Sequence, residues 1–587
     1  MTSCTLTGLF ARTVDTFPDR PAVSDDNETL TYTELDRRSD LLASTLRERG
    51  VGHEDRVGLY LDRSVDVFVA ILGILKAGGC YVAVDTRYPD ARRDQMLTGG
   101  EAKLVITRPE WLDRLAHLGV DGFGFRSVPS TGPVDASGTE IVPDQAASLL
   151  FTSGSSGEPK AIILEHRNLV SFAGNPALPA LHENDRVGQI SSLSFDAFHF
   201  EIWTTFRYGA EVTVLPAVPD LLAADFQREM RRRRISAMLV PTMVVNHVVR
   251  EDRDAFAPLR LLQAGGDVLL PSACRELLRG AFTGELYNLY GPAEITTACT
   301  AQLVTEEIAA RDAIPIGRPL DGVTVHVLTS DLRPAAPGEI GELYVGGPGV
   351  ARGYLGRQEL TAERFVVSPF PDGPQRLYRT GDLGRRGPDG VLEFAGRADS
   401  QVKVRGYRVE LGEVERALCR HPDVPEAVVL ASGEGDGRHL VAFVVLDGGL
   451  TPRRLREYVE AELPDFMVPS HFVTLPGIPA NEHGKRDQEA LAALLAEHRA
   501  RQDAYREPIN ATERAIALLW ADLLGVERAG RNDDFFELGG HSLLAFRLHG
   551  RIRRDLGVDV PHSLVLRNTV LADLAAAVDE VRDGGLL

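Results

Sequence analysis

Cysteine and positive charge are both in short supply. Only five cysteines occur among 587 residues, and none is spaced as Cys-x-x-Cys. That argues against a disulfide framework or a zinc site and fits a reducing cytoplasm, where we expect the protein. Acidic residues outnumber basic ones, 84 to 64, which argues against a nucleic-acid-binding surface. The one basic run, Arg231 to Arg234, is predicted to be a solvated helix face.

Long apolar runs are also missing. None reaches the roughly 18 residues of a membrane span, and no signal segment opens the chain, so we expect no membrane association. Hydrophobic residues still make up 44% of the sequence, enough for large cores. The length predicts several domains, since one domain takes roughly 100 to 200 residues.

Helical and strand-like patterns alternate in the first part of the chain. They predict helices at 35–49 and 65–77 and strands at 56–61 and 81–84, typical of parallel sheets with crossover helices. Residues 120–145 are rich in Gly, Pro, Ser and Asp and are predicted to be a surface connection. After Pro315, short runs broken by glycine favour a smaller β-rich section.

Composition shifts suggest further boundaries near 399 and between 487 and 510. The segment between them is predicted to be a compact α+β unit. The last segment has apolar residues at helical spacing and is predicted to be a small helical bundle. The predicted domains are residues 1–398, 399–500, a linker at 501–509, and 510–587.

The stretch from Phe151 to Lys160 has the composition of an anion-binding loop. Glycines allow close approach of the backbone, hydroxyls donate hydrogen bonds, and Lys160 adds a cation. The spacing is not that of a Walker loop, and a plain Gly/Ser linker is the alternative. The predicted phosphate-binding residues are Thr152, Ser153, Gly154, Ser155, Ser156, Gly157 and Lys160.

Other polar residues stand next to tight turns. Glu294 follows Gly-Pro and could hold Mg²⁺, the alternative being a surface turn. Asp382 follows Gly381 and is suited to accept hydrogen bonds from ribose hydroxyls, while Arg397 is suited to phosphate. Lys403 lies in a strand pattern with one cationic face. The alternative interpretation is a charged edge strand.

Taken together, these stretches resemble the adenylate-forming superfamily and, within it, the adenylation domains of nonribosomal peptide synthetases. The resemblance covers about residues 1–500. It implies large N-terminal α/β subdomains with a β-rich section and a small α+β C-terminal subdomain. The matching stretches are 30–35, 75–82, 151–160, 195–203, 288–297, 341–355, 378–383 and 396–413.

The final segment contains Asp534-Phe-Phe-Glu-Leu-Gly-Gly-His-Ser542, which is similar to the attachment site of peptidyl carrier proteins. Leu544, Leu548 and Ile552 are expected to line the buried face of the helix that follows. A plain N-cap serine is the alternative. The resemblance implies an all-α four-helix carrier bundle with phosphopantetheine on Ser542, attached by a separate phosphopantetheinyl transferase.

The resemblance also implies two half-reactions, adenylate formation from an amino acid and MgATP and then displacement of AMP by a thiol. Lys485 is expected to act in the first half, the strand around Lys403 in the second, and Asp399 as the hinge between them. Glu482 and His483 depart from the usual Asn-Gly-Lys motif before Lys485, and Ala161 replaces a usual glycine. The remaining implied ATP-binding residues are Asn288, Tyr290, Gly291, Asp382 and Arg397, with Glu294 on the metal.

The implied substrate pocket is neutral. Asp196 is expected to pair with the substrate's α-amino group, and an ionised side chain would be left unpaired. The expected substrate is Phe-like or Leu-like, followed by Val or Ile. The implied pocket residues are Asp196, Ala197, Phe200, Thr242, Leu262, Ala264, Leu289, Thr297 and Ala298, together with Lys485.

These features predict an enzyme that activates an amino acid and loads its own carrier domain. No condensation, reductase or thioesterase domain fits the remaining length, so we expect a condensation or tailoring enzyme to act in trans. Many family members also need a small MbtH-like partner. The alternatives are an acyl-CoA ligase and a noncatalytic carrier scaffold.

Overall fold

The computed structural model falls into two compact units. The first comprises the described residues of 1–154, 159–215 and 227–401, and the second those of 216–226 and 402–587. No described helix is long and apolar enough to cross a membrane. The structure describes residues 5–125, 140–154, 159–223, 225–368, 375–398, 401–404, 406–433, 438–479, 487, 490–496, 505–535, 538, 540, 542–561, 564–565 and 568–582.

Short strands make up the sheets of the first unit. They are β1 (Pro21–Ser24), β2 (Thr29–Thr31), β3 (Arg56–Tyr60), β4 (Cys80–Ala83), β5 (Leu104–Thr107), β6 (Asp121–Gly124), β7 (Ala146–Thr152), β8 (Lys160–Glu165), β9 (Arg186–Gln189), β10 (Glu211–Val214), β11 (Ala237–Pro241), β12 (Leu261–Gly265), β13 (Glu285–Tyr290), β14 (Thr300–Leu303), β15 (Arg318–Pro319), β16 (Thr324–Leu328), β17 (Gly341–Gly346), β18 (Gly353–Tyr354), β19 (Phe365–Val367), β20 (Arg376–Arg386) and β21 (Leu392–Arg397).

Helices connect most of these strands, and the one at 218–223 belongs to the second unit. They are α1 (Leu6–Thr16), α2 (Tyr32–Glu48), α3 (Val65–Lys76), α4 (Asp90–Gly99), α5 (His166–Ala173), α6 (Ala197–His199), α7 (Thr205–Arg207), α8 (Val218–Ala223), α9 (Phe226–Arg233), α10 (Thr242–Glu251), α11 (Pro271–Arg279), α12 (Glu306–Ala309) and α13 (Gln358–Arg364). A π-helical turn, Phe200–Thr204, joins α6 to α7, and 3₁₀ segments span Pro109–Leu118 and Ala293–Ile295.

Two large sheets confirm the predicted parallel topology. The nine-stranded sheet has the order β15-β14-β13-β12-β11-β9-β10-β1-β2, with antiparallel pairs at both ends. The seven-stranded sheet has the order β18-β8-β7-β4-β3-β5-β6, antiparallel only from β7 outward. The four early elements lie within three residues of their predicted bounds. α2 begins early because Thr31 and Glu34 form a capping box.

Two predictions were wrong in part. Asp121–Gly124, assigned to a surface connection, is strand β6, which pairs in parallel with β5. Its glycines hid the strand because they supply no apolar side chains to a pattern. Arg233, assigned to a solvated face, is buried, and its Nε lies 3.2 Å from Glu229 while Nη1 lies 2.8 Å from Asp26. Ion pairing compensates that burial.

The predicted β-rich section is confirmed as a third sheet. β16, β17, β20 and β19 pair in that order, and β21 pairs with β20. The pairing places Asp382 of β20 directly opposite Arg397 of β21.

The second unit contains a small α+β region. The elements are β22 (Gln401–Val404), β23 (Tyr407–Glu410), α14 (Leu411–Cys419), β24 (Glu426–Ser432), β25 (His439–Val445), α15 (Pro452–Glu462) and β26 (His471–Thr474). β24, β25 and β26 form a three-stranded sheet. One face of each helix packs with this sheet to form the core.

The last segment is helical, as predicted. Its helices surround a core of their own. They are α16 (Ala511–Leu524), α17 (Ser542–Arg551) and α18 (Leu571–Arg582), and residues 564 and 565 are also helical. Asn510 caps α16 by accepting a hydrogen bond from the Glu513 amide at 2.7 Å. The predicted buried faces of α16 and α17 are confirmed by the core that Trp520 and Leu548 join.

Candidate active site

The predicted phosphate loop lies at the tip of a β-hairpin. β7 and β8 pair antiparallel, and Thr152 faces Lys160 across the last rung. The Thr152 hydroxyl oxygen is buried and has no hydrogen-bond partner within the described part of the chain. A buried hydroxyl of this kind is costly unless a ligand engages it, so the hairpin fits a phosphate group. Ser153 is buried beside it. Ser155, Ser156 and Gly157 lie outside the described residues.

Lys160 and Glu294 form a buried ion pair. The Lys160 Nζ atom lies 3.7 Å from Glu294 Oε1, and the two side chains are 5% and 0% exposed. Glu294 lies on a 3₁₀ turn just beyond the carboxyl end of β13, where open α/β sheets bind ligands. Residues assigned separately to phosphate and to Mg²⁺ are therefore neighbours.

One tyrosine hydrogen-bonds the Glu294 carboxylate, and a second lies behind the first. The Tyr354 hydroxyl donates a hydrogen bond to Glu294 Oε1 at 2.7 Å and lies 3.4 Å from the Tyr378 hydroxyl. The Lys160 ammonium lies 4.9 Å from the centre of the Tyr354 ring. Sequence reasoning missed both tyrosines, although each lies in a stretch used for the resemblance. The available signal was the position of each tyrosine, Tyr354 directly after Gly353 and Tyr378 three residues before Gly381.

The described residues contain no group of three or more His, Cys, Asp or Glu side chains that could hold a metal by themselves. Mg²⁺ is commonly bound by one or two carboxylates together with substrate phosphates. Glu294, beside the hairpin, has the right chemistry for one such ligand.

Asp382 has a partner on each carboxylate oxygen. The Tyr290 hydroxyl donates to Oδ2 at 2.6 Å, and the Arg397 guanidinium pairs with Oδ1. Burial, together with the Asp382 charge, raises the pKa of Tyr290 well above its usual range, so the phenol stays a donor. Arg397 also donates to Gln401 Oε1 at 2.5 Å. Three residues predicted for nucleotide binding thus form one hydrogen-bonded group.

Asn288 and Gly291 lie at the carboxyl end of β13. The Asn288 amide donates to the Pro315 carbonyl at 2.8 Å. A Cβ at Gly291 would lie 2.7 Å from Ala298 Cα and 2.9 Å from the Cys299 amide nitrogen. Only glycine fits there, because the chain turns back on itself at this point.

Four of the predicted pocket residues pack in one apolar cluster with the strands β11 to β13. Phe200, Leu289 and Ala298 are buried in that cluster and Ala197 packs against it. The π-helical turn that starts at Phe200 packs against β9 and β11. Burial lowers the pKa of the neighbouring His199 to about 3, so that its imidazole stays uncharged at neutral pH.

Asp196 and Thr297 are tied together through the backbone. The Thr297 hydroxyl donates to the Asp196 carbonyl oxygen at 2.8 Å. Thr296 and Thr297 both have left-handed backbone angles, with φ of 62° and 67°. A β-branched residue is strained there, and such strain is concentrated at functional sites.

The other pocket positions are arranged differently. Leu262 and Ala264 alternate with Gln263 along β12, and Ala264 lies beside Asn288. Side chains alternate between the faces of a strand, so these two point away from the face of Leu289. Thr242 begins α10 beyond β11, and its buried hydroxyl has no hydrogen-bond partner among the residues described.

The remaining predicted residues belong to the second unit or have no described placement. Lys403 is half-buried on β22. Asp399 and Lys485 lie outside the described residues, as do Glu482 and His483. Ser542 is the first residue of α17, and its side chain lies outside the described part.

Comparisons with known proteins agree on the domain families. Residues 10–355 match the AMP-binding enzyme family, 413–485 the AMP-binding enzyme C-terminal domain, and 514–578 the phosphopantetheine attachment site domain. The first family uses ATP and Mg²⁺, and the third carries phosphopantetheine.

Relatives include gramicidin S synthase 2 of Aneurinibacillus migulanus, which is 36% identical over 99% of this chain and 13% of that protein. Tyrocidine synthase 3 of Brevibacillus parabrevis is 36% identical over 98% of this chain and 9% of that protein. The chain therefore spans only about a tenth of these synthetases.

A solved structure has nearly the same extent as this chain. It is holo-PA1221, a nonribosomal peptide synthetase protein containing adenylation and carrier domains bound to a vinylsulfonamide inhibitor. It superposes with a TM-score of 0.84 at 28% identity, covering 99% of this chain and 97% of that one. The predicted fold class is thereby confirmed. The chain belongs to the AMP-binding enzyme family, as a nonribosomal peptide synthetase adenylation domain followed by a peptidyl carrier domain.

Proposed function

We propose that this chain forms an aminoacyl adenylate from an amino acid and MgATP. It then transfers the aminoacyl group to the phosphopantetheine thiol on its own Ser542. The observation that carries this proposal is the convergence of Lys160 and Glu294 beside the β7–β8 hairpin. The pair supports the proposal because a cation suits phosphate and a carboxylate suits Mg²⁺.

The nucleotide site is assigned as follows. The hairpin hydroxyls and Lys160 bind the phosphates that leave as pyrophosphate, and Asp382 accepts hydrogen bonds from the ribose. The Tyr290 and Arg397 contacts support this role because they fix the carboxylate before ATP arrives. Asn288 and Gly291 are further proposed ATP-binding residues.

The residues of the C-terminal subdomain act in turn. Lys485 bridges the substrate carboxylate and the α-phosphate in the first half-reaction, and Lys403 belongs to the strand that replaces it in the second. Asp399 is the hinge for that exchange. The corresponding domains are 1–398, 399–500 and 510–587, joined by the linker 501–509.

The substrate is a neutral amino acid with a mainly apolar side chain, Phe-like or Leu-like first and Val or Ile next. The apolar cluster of Phe200, Leu289 and Ala298 supports this assignment. Asp196 pairs with the α-amino group. A phosphopantetheinyl transferase supplies the arm, a condensation or tailoring enzyme accepts the product, and an MbtH-like protein is a further proposed partner.

The test is amino-acid-dependent exchange of pyrophosphate into ATP, combined with intact mass after phosphopantetheinyl transfer. We expect exchange with a neutral amino acid and a mass increase of one aminoacyl group on the holo-protein. The Ser542→Ala variant should keep exchange and lose loading. Release of an acyl-CoA would favour the ligase alternative, and no exchange with any amino acid would favour a noncatalytic scaffold.

A further inference from the structure

Gln263 is a fully buried amide at the centre of β12. Its side chain is 0% exposed. Neither the oxygen nor the nitrogen of the amide has a hydrogen-bond partner within the described chain. Burying a polar group without a partner is unfavourable, so an amide in this state calls for a ligand.

The sheet register places Gln263 on the face of the apolar pocket cluster. Gln263 lies beside Leu239 of β11 and Tyr287 of β13, and in-register neighbours of a parallel sheet share one face. Leu261 and Leu289 lie on that face as well, because Leu261 is two residues from Gln263 on β12 and Leu289 is two residues from Tyr287 on β13. All four neighbours belong to the cluster that contains Phe200, or pack against it.

A second buried polar group without a hydrogen-bond partner among the described residues lies just beyond the carboxyl end of β11. Pro241 pairs with Gly265, and Thr242 follows Pro241 directly. The buried Thr242 hydroxyl, which has no partner among the described residues, therefore lies at the rim, one strand over from Gln263. Two such hydrogen-bonding groups thus accompany an apolar cluster at the carboxyl ends of parallel strands, where such sheets bind ligands.

We propose that Gln263 is a specificity-determining residue of the amino acid pocket. It hydrogen-bonds a hydroxyl or carboxamide group at the end of the substrate's side chain. This inference rests on the proposed function and changes its substrate class from a purely apolar side chain to one with a polar tip. The side chain is neutral, with an apolar stem against Phe200 and Leu289 and one hydrogen-bonding group at its tip. An amide can both donate and accept, so it matches either kind of group.

The test compares pairs that differ at the tip, tyrosine with phenylalanine and glutamine with leucine, by pyrophosphate exchange on the full chain. We expect the polar member of at least one pair to have the higher kcat/KM, by roughly tenfold or more, because an amide left unpaired rejects the apolar analogue. In Gln263→Leu that preference should be lost or reversed. Gln263→Met, which is close to glutamine in volume, should behave in the same way.

Thermal unfolding separates recognition from a structural role. Without substrate, Gln263→Leu should melt at or above the wild-type temperature, since it removes an unsatisfied amide. Asn246 is the matched control, a buried amide that donates to the Val268 carbonyl and accepts from the Leu270 amide. Asn246→Leu should therefore melt lower.

Several outcomes would overturn the inference. Preference for the apolar member of both pairs would do so, as would an unchanged ratio in Gln263→Leu. A loss of melting temperature in Gln263→Leu as large as that in Asn246→Leu would assign the amide to folding. No exchange with any amino acid would instead remove the proposed function, and this inference with it.

Discussion

Lys160 and Glu294 come from distant stretches of the chain and meet 3.7 Å apart, buried beneath Tyr354. The pair joins the hairpin to the turn after β13. In the proposed function MgATP offers each member a better partner, phosphate for the lysine and metal for the carboxylate. On that proposal, the pair keeps the two charges compensated until the nucleotide arrives.

Removing one member of this pair should cost stability. In Glu294→Gln, Lys160 keeps a buried charge without its carboxylate, and we expect a loss of about 3 kcal/mol in the free energy of unfolding. The double variant Lys160→Met with Glu294→Gln should recover most of that loss. Urea unfolding measures both, and exchange should be abolished in both. A single variant as stable as the wild type would show that the pair is not stabilising.

Asp382 provides a test of nucleotide binding. Asp382→Asn should raise the KM for ATP by at least about tenfold, because a charged acceptor with two fixed partners is lost. The control is Tyr290→Phe, which removes only one hydrogen-bond donor to Asp382. It should cost about 1 kcal/mol in the free energy of ATP binding. Steady-state exchange at varied ATP measures both. An unchanged KM in Asp382→Asn would remove Asp382 from the ATP site.

Two buried histidines predict a loss of stability in mild acid. Burial lowers the pKa of His166 to about 4 and that of His199 to about 3, and the His166 Nδ1 atom accepts a hydrogen bond from the Leu6 amide. Below pH 6.5 the unfolded chain binds protons that the native protein does not, so stability falls as the pH falls.

Each histidine should lower the free energy of unfolding by about 2 kcal/mol between pH 6.5 and pH 5, since the slope is about 1.4 kcal/mol per pH unit. Urea unfolding at pH 7 and pH 5 measures it, and His199→Leu should show the smaller difference. An equal pH dependence in the variant and the wild type would contradict the assignment to His199.

Trp520 tests whether loading depends on the carrier core. It is fully buried and packs edge-on against Phe535, with ring centres 5.2 Å apart. Trp520→Ala should destabilise the carrier by about 3 to 5 kcal/mol, so that phosphopantetheinyl transfer is lost while exchange persists. Leu518→Ala on the same helix is the control, since Leu518 is 72% exposed and should have little effect. Intact mass after transfer reads out both.

Much of the architecture could be predicted from the sequence because it depends on local patterns. The apolar periodicity around Trp520 specifies a helix through neighbours three or four residues away. The capping box at Thr31 is an equally local signal, which the prediction of α2 overlooked. The glycine and hydroxyl composition of the loop after β7 likewise predicts anion binding from adjacent residues. Ordered motifs of this kind also identify the family.

What only the tertiary structure decided is which distant side chains meet. Tyr354 reaches Glu294 because β18 pairs with β8, an order of strands that no local period encodes. The burial of Arg233 depends on Asp26, which lies far away in the sequence. Gln263 acquires its place among apolar neighbours from the register of three parallel strands. A sequence pattern specifies which face of a strand a residue occupies, whereas sheet order and register decide what that face meets.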